Sequence, residues 1–207
     1  MYRGCGLTPR LQRQFVMTFL IFDLETTGLS PSSEDIIQIA GIKVRAGQWH
    51  QGERFETFVR PVKRVPAFIT GLTGIAHHQV AGAPEAPEAL RAFSQFAGDA
   101  TLIAHNGQRF DMPFLRQSCL RYGLPVRPVP FVDSMAFSRK LWGGRGGHGL
   151  DAVISRLGLS VEGIRRHDAR GDVQLLAQAV GKMWHQLTPD VFTCPVTVGQ
   201  GALAAVA

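Results

Sequence analysis

Large apolar residues run almost unbroken from Met17 to Phe22, then give way to Asp23-Leu24-Glu25-Thr26-Thr27-Gly28. This pattern predicts a central strand, buried on both faces, that ends in a turn. A second strand is predicted over Asp35–Val44, a tight turn at Ala46-Gly47-Gln48, and a third strand over Glu53–Val59. Short turns between the three imply an antiparallel meander. The pattern then changes: Pro61–Gly82 is rich in Pro, Gly and Thr, which predicts a long loop or short helical turns. Ala89, Leu90, Phe93 and Phe96 have helical spacing within Ala86–Phe96, and Ala100–Ala104 reads as a short apolar strand. A helix over Asp111–Tyr122 stops at Gly123, a fifth strand covers Val129–Val132, and Asp133-Ser134 opens another helix. After a Gly-rich connection comes a helix over Leu150–Leu157. The last helix carries Val173, Leu176, Ala177, Val180, Met183, Trp184 and Leu187 on one face.

Three antiparallel strands followed by helix, strand, helix, strand and helix give an α/β fold. Its mixed five-stranded sheet has parallel additions and flanking helices, in ribonuclease-H-like order. The chain of 207 residues suffices for one domain with a sizeable core. We place a flexible leader at residues 1–16, the domain at 17–187 and a tail at 188–207. The leader has Arg3, Arg10 and Arg13 but neither an acid nor the apolar core of a secretory signal. The tail is apolar and Gly-bearing without a period, which leaves open an extended strand, an association surface or disorder. Cys5, Cys119 and Cys194 are scattered, without disulfide or metal-ligand spacing, which suits a reduced, cytoplasmic setting. No apolar run of about 18 residues predicts a membrane span. A net charge of +6 favours an anionic partner, nucleic acid first.

Alternation along a strand points Asp23 and Glu25 to one side. Two carboxylates held this close without a counter-charge repel one another, and a divalent cation with oxygen ligands is a direct remedy. Further acids occur in His105-Asn106-Gly107-Gln108-Arg109-Phe110-Asp111 and in Arg166-His167-Asp168-Ala169-Arg170-Gly171-Asp172. Taken alone, Asp111 would read as a helix N-cap. On a continuous helix His167 and Asp172 would point about 140° apart. With Asp168 as N-cap, His167 lies on the preceding loop and can fold back, and Asp172 falls on the first helical turn.

Phe-Asp-Leu-Glu-Thr-Thr-Gly, His-Asn-Gly-x-x-Phe-Asp and His-x-Ala-x-Gly-Asp-Val together resemble the three motifs of the DEDDh (DnaQ-like) 3′–5′ exonucleases. This group includes the epsilon subunit of DNA polymerase III and the three-prime repair (TREX) exonucleases. The resemblance runs from Phe19 to Leu187 and is supported by Ile69–Ile75, Val132-Asp133-Ser134 and His148-Gly149-Leu150-Asp151. In the detail around Ala104–Pro113 and Gly171-Asp172-Val173 it leans toward the TREX branch, and the chain reads as a stand-alone exonuclease.

The resemblance implies hydrolysis of phosphodiesters at DNA 3′ ends with release of nucleoside monophosphates; the alternatives are trimming of RNA 3′ ends, or a proofreading or interaction subunit of a DNA polymerase. Asp23, Glu25, Asp111 and Asp172 would hold two Mg²⁺ or Mn²⁺ ions about 3.5–4 Å apart, with Asp23 bridging. His167 would be the general base, imidazole being the side chain that titrates nearest neutral pH. Backbone amides near Thr26 and Thr27 would meet the 3′-hydroxyl, and Leu29, Ile69 and Leu72 would flank the last bases unless they serve the core. Phe110 would pack under the scissile region, with His105, Asn106 and Arg109 in supporting or phosphate contacts. Arg139, Lys140 and Arg145 are the first candidates to track the phosphate backbone. The partners implied are single-stranded DNA or DNA 3′ ends, or RNA, and no membrane. A homodimer and a polymerase or sliding clamp remain open, with Gln186–Asp190 only faintly like a clamp-binding peptide.

Overall fold

The computed structural model describes residues 17–49, 51–144 and 146–206. The leader and Arg145 lie outside the described residues. Strand β1 (Thr18–Thr26) is the axis of the sheet, and β2 (Ile36–Arg45) and β3 (Gly52–Phe58) continue from it as the antiparallel meander. On its other side β1 pairs in parallel with β4 (Thr101–Ala104), which pairs in parallel with β5 (Val126–Asp133). The sheet has six strands in the order β3-β2-β1-β4-β5-β6, one more than the sequence pattern predicts.

The added strand, β6 (Gly199–Ala204), comes from the tail and runs antiparallel to β5. Its sequence, Gly-Gln-Gly-Ala-Leu-Ala, has neither strand propensity nor alternation, so nothing local announces it. Tertiary fit selects it. Leu203 and Ala204 are buried in the core, and the Ser94 hydroxyl donates to the Ala204 carbonyl at 2.6 Å. At Gly201 a Cβ would lie 2.4 Å from Met112 Sδ and 3.2 Å from Phe131 Cβ, so a larger residue there would force the Met112 side chain to move.

Of the long loop or short helical turns expected over Pro61–Gly82, the helical turns are what form, as α1 (Ala67–Thr73) and α2 (His77–Val80). Helices α3 (Ala86–Ala97) and α4 (Asp111–Arg121) cover one face of the sheet. Helices α5 (Met135–Trp142), α6 (Leu150–Arg156) and α7 (Ala169–Leu187) cover the other. The alternation in β1 explains both layers: Leu20, Phe22 and Leu24 face α3 and α4, while Phe19 and Ile21 face α7. Phe19 meets the Trp184 ring edge-on at 5.4 Å, and Trp49 lies 5.1 Å from Trp184, which seats the last helix on the meander. Beyond that helix the chain turns back, with the Trp184 indole donating to the Asp190 carbonyl at 2.8 Å. Gln186 and Leu187 therefore belong to the end of α7. No described helix is long and apolar enough to cross a membrane.

Candidate active site

Two parallel strands, β1 and β4, end at the same edge of the sheet, where ligand sites of such folds lie. Asp23 and Glu25 are on the face of β1 turned toward α7. A register irregularity falls between Glu25 and Thr26 opposite β2, so the strand bends just after its two acids.

Helix α7 delivers the next carboxylate. Asp168 is its N-cap, accepting from the Arg170 N–H at 3.1 Å, and Asp172 lies buried on the first turn. Ligand oxygens of Asp23, Glu25 and Asp172 all lie within 4.8 Å of one another. His167 stands on the loop before the helix, exposed, with φ 56°, and its N–H donates to Asp172 Oδ2 at 3.2 Å. That turn is what brings a residue five positions away back to Asp172.

Asp111 is the first residue of α4, with Phe110 at the cap position and Pro113 in the first turn, where its missing N–H costs nothing. Its carboxyl does not cap the helix as an isolated Asp would. It is 1% exposed, and its Oδ1 has no hydrogen-bond partner. Its charge adds to the upward push on the Asp23 carboxyl, although Asp111 is not among the acids whose oxygens meet within 4.8 Å.

Crowding shows in the proton affinities. Burial first, then the Asp111 and Glu25 charges, push the Asp23 carboxyl well above the usual carboxylate range. Glu25 is pushed up to about 7 by burial and by Asp168 and Asp111. Asp111 also rises to about 7, mainly through burial, although its own N–H and that of Leu24 oppose the rise. Clustered hard oxygen donors, together with the orphaned Asp111 oxygen, fit a divalent cation such as Mg²⁺ or Mn²⁺.

The remaining predicted residues separate. Ile69 is buried with Ile37, Val65, Ile75 and Val80, a core position. Leu29 and Leu72 stand 85% and 50% exposed. The Thr27 N–H already donates to the Asp35 carbonyl at 2.9 Å, so that amide is engaged. The Thr26 hydroxyl donates to the Gly28 carbonyl at 2.6 Å, and that of Thr27 to Glu34 at 2.6 Å. The Phe110 ring packs on Phe114 at 4.9 Å. His105 pairs through Nδ1 with the Ser134 hydroxyl at 2.7 Å, and burial lowers the pKa of its imidazole. Asn106 and Arg109 are exposed on the same turn. Lys140 donates to the Pro195 carbonyl at 2.6 Å, and Arg139 is exposed.

Three side chains around the acids, and one exposed aromatic, have no role assigned to them by the sequence pattern. Gln38, buried opposite Glu25, donates to Asp168 at 3.3 Å and accepts the Ala169 N–H at 3.0 Å. A lone amide in an otherwise apolar strand was its only signal. Asp133 accepts the N–H groups of Asn106 and Gln108 at 3.1 and 3.2 Å and so holds the turn before Asp111. Arg166 bonds to Asp172 and Asp151. Phe68, one helical turn before Leu72, is 68% exposed, a spacing that the Pro- and Gly-rich context hid.

The exonuclease family RNase_T matches residues 20–180, the span that carries all four acids and His167. The chain belongs to the DEDDh, DnaQ-like exonuclease family. A DNA polymerase III subunit epsilon-like protein of Rhodobacter capsulatus is 41% identical over 79% of this chain and 23% of its own length. A PolC-type DNA polymerase III of Streptococcus thermophilus is 36% identical over 84% of the chain and 11% of its own length. The chain thus spans less than a quarter of the length of these relatives. The nuclease domain of 3′hExo, a DEDDh family member bound to rAMP, shares the fold with a TM-score of 0.77 at 19% identity. It covers 90% of this chain and 98% of its own. Exonuclease X in complex with 5′ overhanging duplex DNA gives a TM-score of 0.65 at 23% identity, over 81% of this chain and 92% of its own. The matched family is one of exonucleases, and the acidic centre of this chain suits a divalent metal ion.

Proposed function

We propose that this chain is a 3′–5′ exodeoxyribonuclease that releases nucleoside monophosphates from DNA 3′ ends. The observation that carries the reading is the meeting of Asp23, Glu25 and Asp172, from two separate elements, with ligand oxygens within 4.8 Å of one another. These three and Asp111 would hold two Mg²⁺ or Mn²⁺ ions, which supply activation of water and charge neutralisation at the leaving 3′-oxygen. His167, exposed on its loop, takes the proton from the attacking water. The water oxygen bonds to phosphorus while the bond to the 3′-oxygen of the preceding nucleotide breaks. The terminal residue leaves as a 5′-monophosphate, and the leaving 3′-oxygen takes a proton from solvent, so the shortened strand ends in a 3′-hydroxyl.

Leu29 and Leu72, together with Phe68, offer exposed apolar surface to the terminal bases, and stacking of this kind tolerates any sequence. Asn106 and Arg109 face solvent beside Asp111 and suit the phosphate backbone. DNA is favoured over RNA because the relatives at 36–41% identity are DNA polymerase III proteins. The same names support association with a polymerase, tested by co-elution of the chain with a polymerase III core; a second copy of the chain is the other partner that sizing would reveal.

The deciding assay is digestion of a 5′-labelled single-stranded DNA and its RNA counterpart with Mg²⁺, beside an Asp172→Ala control. The expected result is a ladder of single-nucleotide steps on DNA that the control lacks. Internal cleavage products, or an unaffected control, would overturn the assignment. Faster digestion of the RNA would reassign the substrate.

A further inference from the structure

Both oxygens of Asp172 have partners within the protein. Oδ2 accepts the His167 N–H at 3.2 Å, and Oδ1 accepts Nη1 of Arg166. The same guanidinium reaches Asp151 Oδ1 through Nε at 2.9 Å and Nη2 at 2.6 Å. Arg166 therefore lies between two carboxylates of different character. The Asp172 side chain is 9% exposed within the acidic centre, and that of Asp151 is 79% exposed at the start of α6. The influence of Arg166 extends past Asp172, since its charge opposes the upward push on the pKa values of both Asp23 and Glu25.

A carboxylate oxygen that ligates a cation cannot give the same lone pair to a guanidinium. Asp172 has lone pairs for a cation as well, but a guanidinium on Oδ1 puts a positive charge where the cation would sit, and the two repel. Among the described residues the His167 N–H has Asp172 as its acceptor, whereas Arg166 already has a second one in Asp151. A planar fork of five donors can close on a single carboxylate in bidentate form.

We propose that Arg166 competes with divalent cations for Asp172, and that Asp151 is the alternative acceptor that lets it withdraw. The inference rests on the reading of Asp172 as a metal ligand given above. Arg166 is then a positioning residue that sets the cation concentration at which the centre fills. Asp151 tunes that threshold from outside the centre.

The test is Mn²⁺ binding to the full chain, read as loss of the free Mn²⁺ signal by electron paramagnetic resonance, with thermal melting as a check of folding. Arg166→Gln removes the competing charge and should bind Mn²⁺ about tenfold more tightly, equivalent to about 1.4 kcal/mol. Asp151→Asn strands the guanidinium on Asp172 and should weaken binding several-fold. In the double variant the Asp151→Asn effect should vanish. Arg166→Lys, which keeps the charge without the fork, should stay near wild type if charge competition is the mechanism, and covers the case in which Arg166→Gln does not fold. A merely structural role would weaken binding in both single variants, and that result, or an unchanged affinity in Arg166→Gln, overturns the proposal. Silence toward Mn²⁺ in both wild type and Arg166→Gln would instead overturn the ligand reading itself, and this inference with it.

Discussion

Gln38 and Asp168 join β2 to the start of α7: the Gln38 amide donates to the Asp168 carboxylate at 3.3 Å across 130 residues of chain. The same side chain accepts the Ala169 N–H at 3.0 Å, one of the orphan donors of a helix N-terminus. Asp168 is held below the usual carboxylate range chiefly by its hydrogen bond from Arg170, with Gln38 contributing. Helix α7 is thus docked by a polar contact at the end where Asp172 must meet Asp23.

Replacing Gln38 by Leu leaves the buried Ala169 N–H without its acceptor. Such a loss costs about 1–3 kcal/mol. Urea denaturation should show a lower midpoint with an unchanged slope, together with weaker Mn²⁺ binding. A variant as stable as wild type would show that the contact does not dock the helix.

Stability should depend on pH in a direction set by the acidic centre. Glu25 and Asp111 titrate near 7 in the folded chain, against ordinary values of 4.5 and 3.8. The folded state therefore holds protons more tightly, so stability is greatest when these groups are protonated and falls as pH rises from about 4 to about 7. Asp23 acts in the same direction. Asp168 acts oppositely, but its contribution is lost only below its ordinary 3.8. In EDTA the melting temperature should fall across that window, and Mn²⁺ should restore it at pH 8. A flat or rising profile in EDTA would contradict the crowding.

Glu25→Gln separates stability from activity. Removing a charge that its neighbours repel should raise the melting temperature in EDTA at pH 8. Turnover with Mg²⁺ should drop on the order of 10²–10³-fold, typical of losing one electrostatic contributor to a transition state. Melting curves and single-turnover digestion on the same preparation check both halves.

The His167 side chain is exposed and its φ is 56°, a conformation that Asn tolerates better than Ala. His167→Asn should melt like wild type yet digest DNA about 10²–10⁴-fold more slowly, the range for a lost proton acceptor. His167→Ala should show the same rate loss and a somewhat lower melting temperature. Near-native turnover in either variant removes His167 from the base role.

Gly201→Val should destabilise the fold without touching the centre. Its Cβ would meet Met112 Sδ at 2.4 Å and Phe131 Cβ at 3.2 Å. Overpacking of this kind costs about 1–3 kcal/mol. A lower denaturation midpoint with little change in Mn²⁺ affinity is the expected result.

Local pattern alone determined the meander, the helix–strand alternation and the placement of Asp23 and Glu25 on one side of a strand, because side-chain periodicity is a property of the backbone repeat. The Asp168 cap was legible too, and with it the position of His167 on a loop rather than on the helix. Tertiary structure alone decided what depends on neighbours remote in the chain. The Gly-rich tail becomes β6 through contacts remote in the chain: pairing with β5, burial of Leu203 and Ala204, and a close approach to Met112 at Gly201. Ile69 belongs to the core while Leu72, three residues on, faces solvent, since a short helix in a Pro- and Gly-rich stretch has too few turns to reveal its buried side. Arg166 between Asp151 and Asp172, and Gln38 beneath Asp168, are contacts that no spacing in the sequence encodes, because each joins elements whose separation only packing sets.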